Sequence, residues 1–247
     1  MIPKTIHYIW LGGNPLPEIA KKCMASWEKF CPDYEIKKWD ESNLDIDKFK
    51  FVRQAYDAKK WAYASDALRF DILNTCGGIY LDIDVEFIKP LDESFLKNKA
   101  FFAFEKVDSI APGLIFGAEK GVKEVEELLD IYKNLSFLDE NGKPILKTVC
   151  IISTNYFKEM GLKTDNTIQD INGVAFYPTD YFCPKSLSDG KIRLTTNTYS
   201  IHHYLASWVP LRKRVKAKIL QFIKRIVGEK NVEKIKIRMG KKKNDNS

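Results

Sequence analysis

An open α/β domain is the fold class predicted for these 247 residues, on three observations. Strand-like and helical stretches alternate from the N-terminus, the best strand candidates are apolar runs suited to a buried sheet, and the length allows one sizeable core. Ile6 to Trp10 reads as the first strand, rich in β-branched and aromatic side chains and stopped by Gly12 and Gly13. After Pro15 and Pro17 a helix is predicted to about Phe30, then a second strand over Tyr34 to Trp39 with Asp40 at its end. A helix from Ala62 to Asn74 carries an apolar stripe and stops at Gly77-Gly78, and Ile79 to Val85 reads as a strand interrupted by acid. Further strands are expected at Ala100 to Phe104, Leu114 to Ala118, Val174 to Tyr177 and Tyr199 to Tyr204, with a helix over Val122 to Leu135. In such folds ligands bind at the carboxyl ends of the strands.

Composition narrows the function classes. The chain is 45% hydrophobic, 30% charged and 13% aromatic, which suits a folded enzyme and excludes a disordered or collagen-like chain. The net charge of +7 is concentrated at one end. Residues 208–247 hold 14 basic and 3 acidic side chains, a net +11, whereas residues 1–207 hold 26 basic and 30 acidic, a net −4. The basic character therefore belongs to an appended segment and is no nucleic-acid footprint. Two regions are expected: a catalytic domain over 1–208 and a basic amphipathic helical tail over 209–247. In the tail Leu211, Val215, Ile219, Phe222, Ile223 and Ile226 recur at helical spacing among Arg212, Lys213, Lys216 and Arg225. Such a helix suits an anionic membrane surface, the rival being a helix packed on the catalytic domain. Phe222 is the only aromatic after Trp208, so RNA binding is not expected.

The five cysteines are odd in number and widely scattered, without zinc-ligand spacing, which fits a reduced cytoplasmic protein. No signal peptide or spanning segment is expected, leaving at most a peripheral position on the inner face of the cytoplasmic membrane.

The strongest chemical signal is Ile79-Tyr-Leu-Asp82-Ile-Asp84-Val-Glu86. If this run is a strand, Asp82 and Asp84 share one face while Ile83 and Val85 pack on the other. Two neighbouring buried acids repel unless a cation offsets them, and oxygen ligands suit Mn²⁺ or Mg²⁺. Upstream, Asp66 and Arg69 lie three apart on a largely apolar helix, so both can project toward one spot, where sugar hydroxyls or phosphates are the matching partners.

Together, Ala64-Ser-Asp66-Ala-Leu-Arg69 and Gly77-Gly-Ile-Tyr-Leu-Asp82-Ile-Asp84 closely resemble the core of the sugar-binding-region glycosyltransferases that carry a D-x-D motif, the family 32 type. These are relatives of yeast-type initiating α-1,6-mannosyltransferases, of capsular polysaccharide synthesis proteins and, distantly, of the clostridial glucosylating toxins. Ile2-Pro-Lys-Thr-Ile-His-Tyr-Ile-Trp10-Leu-Gly-Gly is similar to the family's first strand, and Ile201-His-His-Tyr-Leu-Ala-Ser-Trp208 to its closing motif. The resemblance implies a GT-A (Rossmann-like) nucleotide-diphospho-sugar transferase fold with a mixed sheet. It also implies a metal-dependent, retaining transfer from a UDP- or GDP-sugar to a saccharide or lipid-linked oligosaccharide, in a bacterial capsule or other surface-glycan pathway.

By the same resemblance Asp84 is the direct metal ligand, Asp82 bonds ribose or sugar hydroxyls, and Asp66 and Arg69 hold the transferred sugar. Ile9, Trp10 and Leu11 line the nucleotide site, where the Trp10 ring offers a stacking face. His202 is favoured over His203 as a metal ligand, since the two alternate across a strand. Ser207 and Trp208 would close over the diphosphate. Thr148-Val-Cys150 departs from the Thr-Gly-Pro of many relatives, which leaves the acceptor side unread. For the chemical step no nucleophile is assigned: Glu86, Glu105 and Asp180 are candidates without a position.

A haloacid-dehalogenase-type Mg²⁺ phosphatase also uses D-x-D. It wants Thr or Val two residues after the second Asp, where Glu86 stands here, and places the motif near the start of its fold. A membrane- or nucleic-acid-binding module acting through the basic tail is the non-enzymatic alternative.

Overall fold

The computed structural model describes residues 1–205 together with Arg212, Val215, Ile219, Gln221, Phe222 and Lys224. Ser207 and Trp208 lie outside the described residues, as does most of the expected tail helix. The strands are β1 (Thr5–Ile9), β2 (Glu35–Trp39), β3 (Gly78–Tyr80), β4 (Val85–Phe87), β5 (Ala100–Lys106), β6 (Ser109–Ile110), β7 (Phe116–Ala118), β8 (Gln169–Ile171), β9 (Val174–Tyr177) and β10 (Ser200–His202). The helices are α1 (Glu18–Phe30), α2 (Lys50–Asp57), α3 (Trp61–Cys76), α4 (Lys123–Lys133), α5 (Val149–Glu159) and α6 (Thr179–Phe182).

The main sheet has the order β2-β1-β3-β7-β5-β9-β8, with β6 added to β5. Its first three strands are parallel, β1 lying between β2 and β3, which is the Rossmann-like unit expected of alternating strands and helices. Beyond β3 the sheet is mixed: β7 runs antiparallel to both β3 and β5, while β5 and β9 are parallel. The α/β class with a mixed central sheet is thus as expected.

Alternation along the strands builds one core on each face of the sheet. Tyr80, Phe102, Phe104, Phe116 and Phe176 point into a core shared with Leu68, Leu73, Leu128 and Phe157 of the covering helices. Ile79, Phe101 and Ala103 point the other way, against Trp27, Phe87, Phe95 and Phe182. Helix α3 is buried on nearly every side, from Tyr63 through Leu73. Two of its three alanines, Ala64 and Ala67, are fully buried and give neighbouring elements room to approach.

The expected strand over Ile79 to Val85 is corrected by the structure. It is broken into β3 and β4, and Leu81 to Asp84 link them as non-strand backbone. The cause is a change of partner: β3 belongs to the main sheet, whereas β4 leaves it to pair antiparallel with β10. Helix α1 satisfies the other side of β4. The Trp27 indole N–H donates to the Val85 carbonyl at 2.7 Å, and the Phe87 N–H donates to Ser26 Oγ at 2.9 Å. Side chains of a helix there do the work of a missing strand.

Candidate active site

The acids stand where the chain passes from the main sheet to the small one. The β4–β10 register sets His202 opposite Val85, immediately beyond Asp84. The Asp84 carbonyl accepts the His203 N–H at 2.9 Å, and its carboxylate accepts the Leu205 N–H at 2.6 Å. His202 Nε2 lies 3.3 Å from Asp84 Oδ1. One ligand atom from each of Asp82, Asp84 and His202 falls within 4.8 Å of the others, and among the described residues this is the one such cluster. His203 faces away and meets Glu86 at 2.6 Å, which also pairs with Lys22. Two carboxylates and an imidazole, two of the three buried, form a donor set of hard oxygen and borderline nitrogen that fits Mn²⁺ or Mg²⁺.

A second charged group abuts the first. Arg69 Nη2 donates to Asp66 Oδ1 at 2.8 Å, while Arg69 Nη1 is 3.7 Å from Asp82 Oδ1. The guanidinium lies over the Tyr80 ring at 4.7 Å, and the Tyr80 hydroxyl donates to Asp82 at 3.1 Å. Asp66 also accepts the Val149 N–H at the start of α5, at 3.3 Å. Four elements therefore meet here: α3, the β3–β4 link, β10 and the N-terminus of α5.

The charges respond to this setting. Burial pushes the Asp66 carboxyl up to about 7 against the opposing pull of Arg69, and Asp82 adds to the rise. Asp82 is likewise raised by burial, with Arg69 opposing and Asp84 reinforcing. For Asp84 burial acts upward as well, but the His202 ring beside it outweighs burial and holds the carboxyl down at about 2. His202 is correspondingly raised, burial being overcome by Asp84. Asp66 and Asp82, raised by burial, are carboxylates that further positive charge placed beside them would stabilise in their charged form.

Gly113 lies against Asp82 and Arg69 without any signal in the sequence. Its carbonyl accepts the Asp82 N–H at 2.8 Å, and a Cβ there would lie 2.1 Å from Asp82 Oδ2 and 2.7 Å from Arg69 Nη1. Only a glycine leaves those side chains their space. Glu105, at the end of β5, comes within 3.8 Å of His202 Nδ1. Asp180 instead bonds Thr195 and Asn197 on the surface.

The residues expected on the nucleotide side, Ile9, Trp10 and Leu11, lie at the carboxyl end of β1. Ile9 and Leu11 are buried, and Trp10 is half-buried with its indole N–H donated to the Asn14 carbonyl at 2.6 Å. Beyond them opens a cavity of about 630 Å³ lined by Gly12, Gly13, Asn14, Glu41, Tyr56, Lys59 and Trp61. Asp40, at the end of β2, is taken up by Lys38 at 2.7 Å and by a turn with Ser42.

Comparison with known proteins agrees with this geometry. Residues 17–102 match the family described as "Glycosyltransferase sugar-binding region containing DXD motif", a span that includes Asp66, Arg69, Asp82 and Asp84. Over that span the chain is similar to the DXD-containing glycosyltransferases. It is 26% identical over 225 residues to an uncharacterized glycosyltransferase of Acanthamoeba polyphaga mimivirus, covering 87% of each chain. It is 36% identical over 95 residues to inositol phosphoceramide mannosyltransferase 3 of Schizosaccharomyces pombe, covering 37% of this chain and 26% of that one. To the initiation-specific α-1,6-mannosyltransferase of Candida albicans it is 30% identical over 128 residues, 47% of this chain and 32% of that one. The chain thus matches nearly the whole viral relative but about a third or less of each fungal one. No helix among its described residues is long and apolar enough to cross a membrane.

Proposed function

We propose that this glycosyltransferase moves a sugar from a UDP- or GDP-sugar to a saccharide acceptor, using a divalent ion held by Asp84 and His202 with Asp82 beside them. The observation that carries the reading is the meeting of the Asp82–Asp84–His202 cluster with the buried Asp66–Arg69 pair. A sugar nucleotide leaves as a diphosphate, and the ion, Mn²⁺ or Mg²⁺, supplies positive charge for that leaving group. The protein side of the work is positioning. Arg69, fixed between Asp66 and Asp82 and backed by the Tyr80 ring, offers fixed donors in a site largely withdrawn from solvent. Asp66 and Asp82 present acceptors for sugar or ribose hydroxyls, while Ile9, Trp10 and Leu11 lie toward the nucleoside end. Residues 1–208 form the catalytic unit in this reading, with Ser207 and Trp208 separated by one residue in sequence from Leu205, whose N–H donates to Asp84.

Retention of configuration, a lipid-linked acceptor, a role in bacterial surface polysaccharide and a cytoplasmic setting rest on the sequence resemblance. The phosphatase alternative has less support, because its motif belongs early in the fold and here the acids follow the third strand.

Calorimetric titration of UDP and GDP, with and without Mn²⁺, tests the proposal. One of the two is expected to bind only with the ion, and Asp84→Asn to weaken that binding at least tenfold. Equal binding with and without Mn²⁺, or an unaffected Asp84→Asn, overturns the metal reading.

One observation favours a second, peripheral role for the tail. Val215, Ile219 and Phe222 fall on one face at helical spacing and are 47%, 55% and 64% exposed. Gln221 touches the body, its side-chain amide donating to the Leu187 carbonyl at 2.9 Å, while the apolar face at Val215, Ile219 and Phe222 stays uncovered and is what suits an anionic membrane surface.

A further inference from the structure

The imidazole of His202 has two nitrogens, and only one is accounted for by the acid cluster. Nε2 faces Asp84 at 3.3 Å. Nδ1 is buried without a hydrogen-bond partner, and the nearest carboxylate oxygen, Oε1 of Glu105, is 3.8 Å away. Glu105 is itself only 14% exposed at its side chain and makes no hydrogen bond among the described residues. A buried nitrogen without a partner and a largely buried carboxylate therefore face each other. A gap of this size is too long for a hydrogen bond, yet a small turn of the ring closes it.

The strand geometry aims Glu105 there. Phe101, Ala103 and Glu105 alternate onto the same face of β5, and the first two belong to the core that α6 and β4 cover. At the strand's end Glu105 reaches the layer that holds His202, Tyr204 and Cys183. The Tyr204 ring packs on His202 at 4.3 Å between centroids, and its hydroxyl lies 2.9 Å from Cys183 Sγ.

We propose that Glu105 is a positioning residue for the metal site: its carboxylate accepts the Nδ1–H of His202 and so fixes the tautomer whose Nε2 lone pair is free for the divalent ion. This inference rests on His202 being a ligand. A ring nitrogen can bind a cation only through a lone pair, and the hydrogen bond at the other nitrogen decides which one carries the proton. Carboxylates in this relation to a ligating histidine orient the ring and raise its basicity.

The test is Mn²⁺ binding to the full-length protein, followed by the paramagnetic resonance signal of the free ion. Glu105→Leu is expected to weaken Mn²⁺ about 10- to 100-fold. Glu105→Gln keeps an acceptor oxygen and is expected to lose less than Glu105→Leu. Cys183→Ala, which removes the other polar group near the ring, is expected to stay within about twofold. A readout that loss of packing alone does not move is the nitrogen-15 spectrum of the three histidines in Zn²⁺-loaded protein. The His202 signals should show Nδ1 protonated and Nε2 bound in the parent, and a mixture of tautomers in Glu105→Leu. If His202→Ala weakens Mn²⁺ while Glu105→Leu binds it like the parent, Glu105 has no such role. If His202→Ala itself leaves Mn²⁺ binding unchanged, the assignment of His202 as a ligand fails first, and this inference fails with it.

Discussion

At the scale of single residues, the buried histidine His7 shows how a polar side chain inside a strand can be fully provided for. Its Nε2–H donates to the Gly77 carbonyl at 2.9 Å, and its Nδ1 accepts the Trp39 indole N–H at 3.0 Å. Both nitrogens are used in the neutral form, so a proton has no place, and burial pushes the group down from 6.5 to about 4. Between those values the unfolded chain takes up a proton that the folded chain refuses. The stabilisation is complete above pH 6.5 and is lost as pH falls toward 4, amounting to about 3 kcal/mol. Urea melts at pH 7 and pH 4.5 should show this loss, and His7→Gln, which no longer titrates, should show a drop smaller by about 2 kcal/mol. Neighbouring Gly78 has φ +111°, and a Cβ there would meet His7 Nε2 at 2.7 Å, so the glycine serves both the turn and the histidine. Gly113 makes the same argument inside the site. Gly113→Ala must displace Asp82 or Arg69, at a cost of about 1–3 kcal/mol in packing. Donor hydrolysis is expected to fall at least tenfold while the melting temperature drops by only a few degrees. Unchanged hydrolysis would remove Asp82 from the site.

At the scale of elements, the acid pair was legible in the sequence for a reason that proved only half right. Alternation along one strand was to bring Asp82 and Asp84 together, whereas the chain instead leaves the sheet between them and β10 supplies the third group. Residue spacing cannot show that a strand will change partners, because the partner, β10, lies more than a hundred residues away in sequence. The parallel β2-β1-β3 unit and helix α3 were readable, since each is set by a local apolar pattern. Helices α2 and α5 were not. The α2 segment is short, eight residues. The α5 segment opens Val-Cys-Ile-Ile, whose β-branched side chains favour strand, and burial of Val149, Ile152 and Phe157 against the core overrides that preference. Thr148, whose hydroxyl oxygen accepts the Ile151 N–H, was the signal that marked its start. The hold of α1 on β4 gives an element-level prediction. Ser26→Ala leaves the Phe87 N–H without its acceptor in a buried place, a loss of about 1–3 kcal/mol. Hydrogen exchange at the Phe87 amide should accelerate well beyond that of β1 amides, and exchange that speeds up equally throughout the sheet would show that α1 has no particular grip on β4.

At the scale of the whole molecule, charge is unevenly distributed along the chain. Residues 1–207 carry a net −4 and residues 208–247 a net +11, so the two regions respond oppositely to an anionic surface. Charge alone gives a weak attraction that salt screens, because exposed charges lose most of their interaction beyond a Debye length of about 10 Å at 0.1 M. The exposed Val215, Ile219 and Phe222 add a contribution that salt does not screen, since burying apolar area in the headgroup boundary is favourable at any ionic strength. The two parts predict different behaviours in one experiment. With vesicles rich in phosphatidylserine, the full chain should pellet strongly at low salt and retain part of that binding at 0.5 M. A variant with Val215→Asp, Ile219→Asp and Phe222→Asp changes only exposed positions, so its catalytic unit should stay folded, and it should lose the salt-resistant fraction first. If the parent releases completely at 0.5 M, the attraction is that of a basic surface alone and the apolar stripe has another occupant. If the parent fails to pellet even at low salt, the tail is no membrane contact at all, and the acidic catalytic body governs where the enzyme resides.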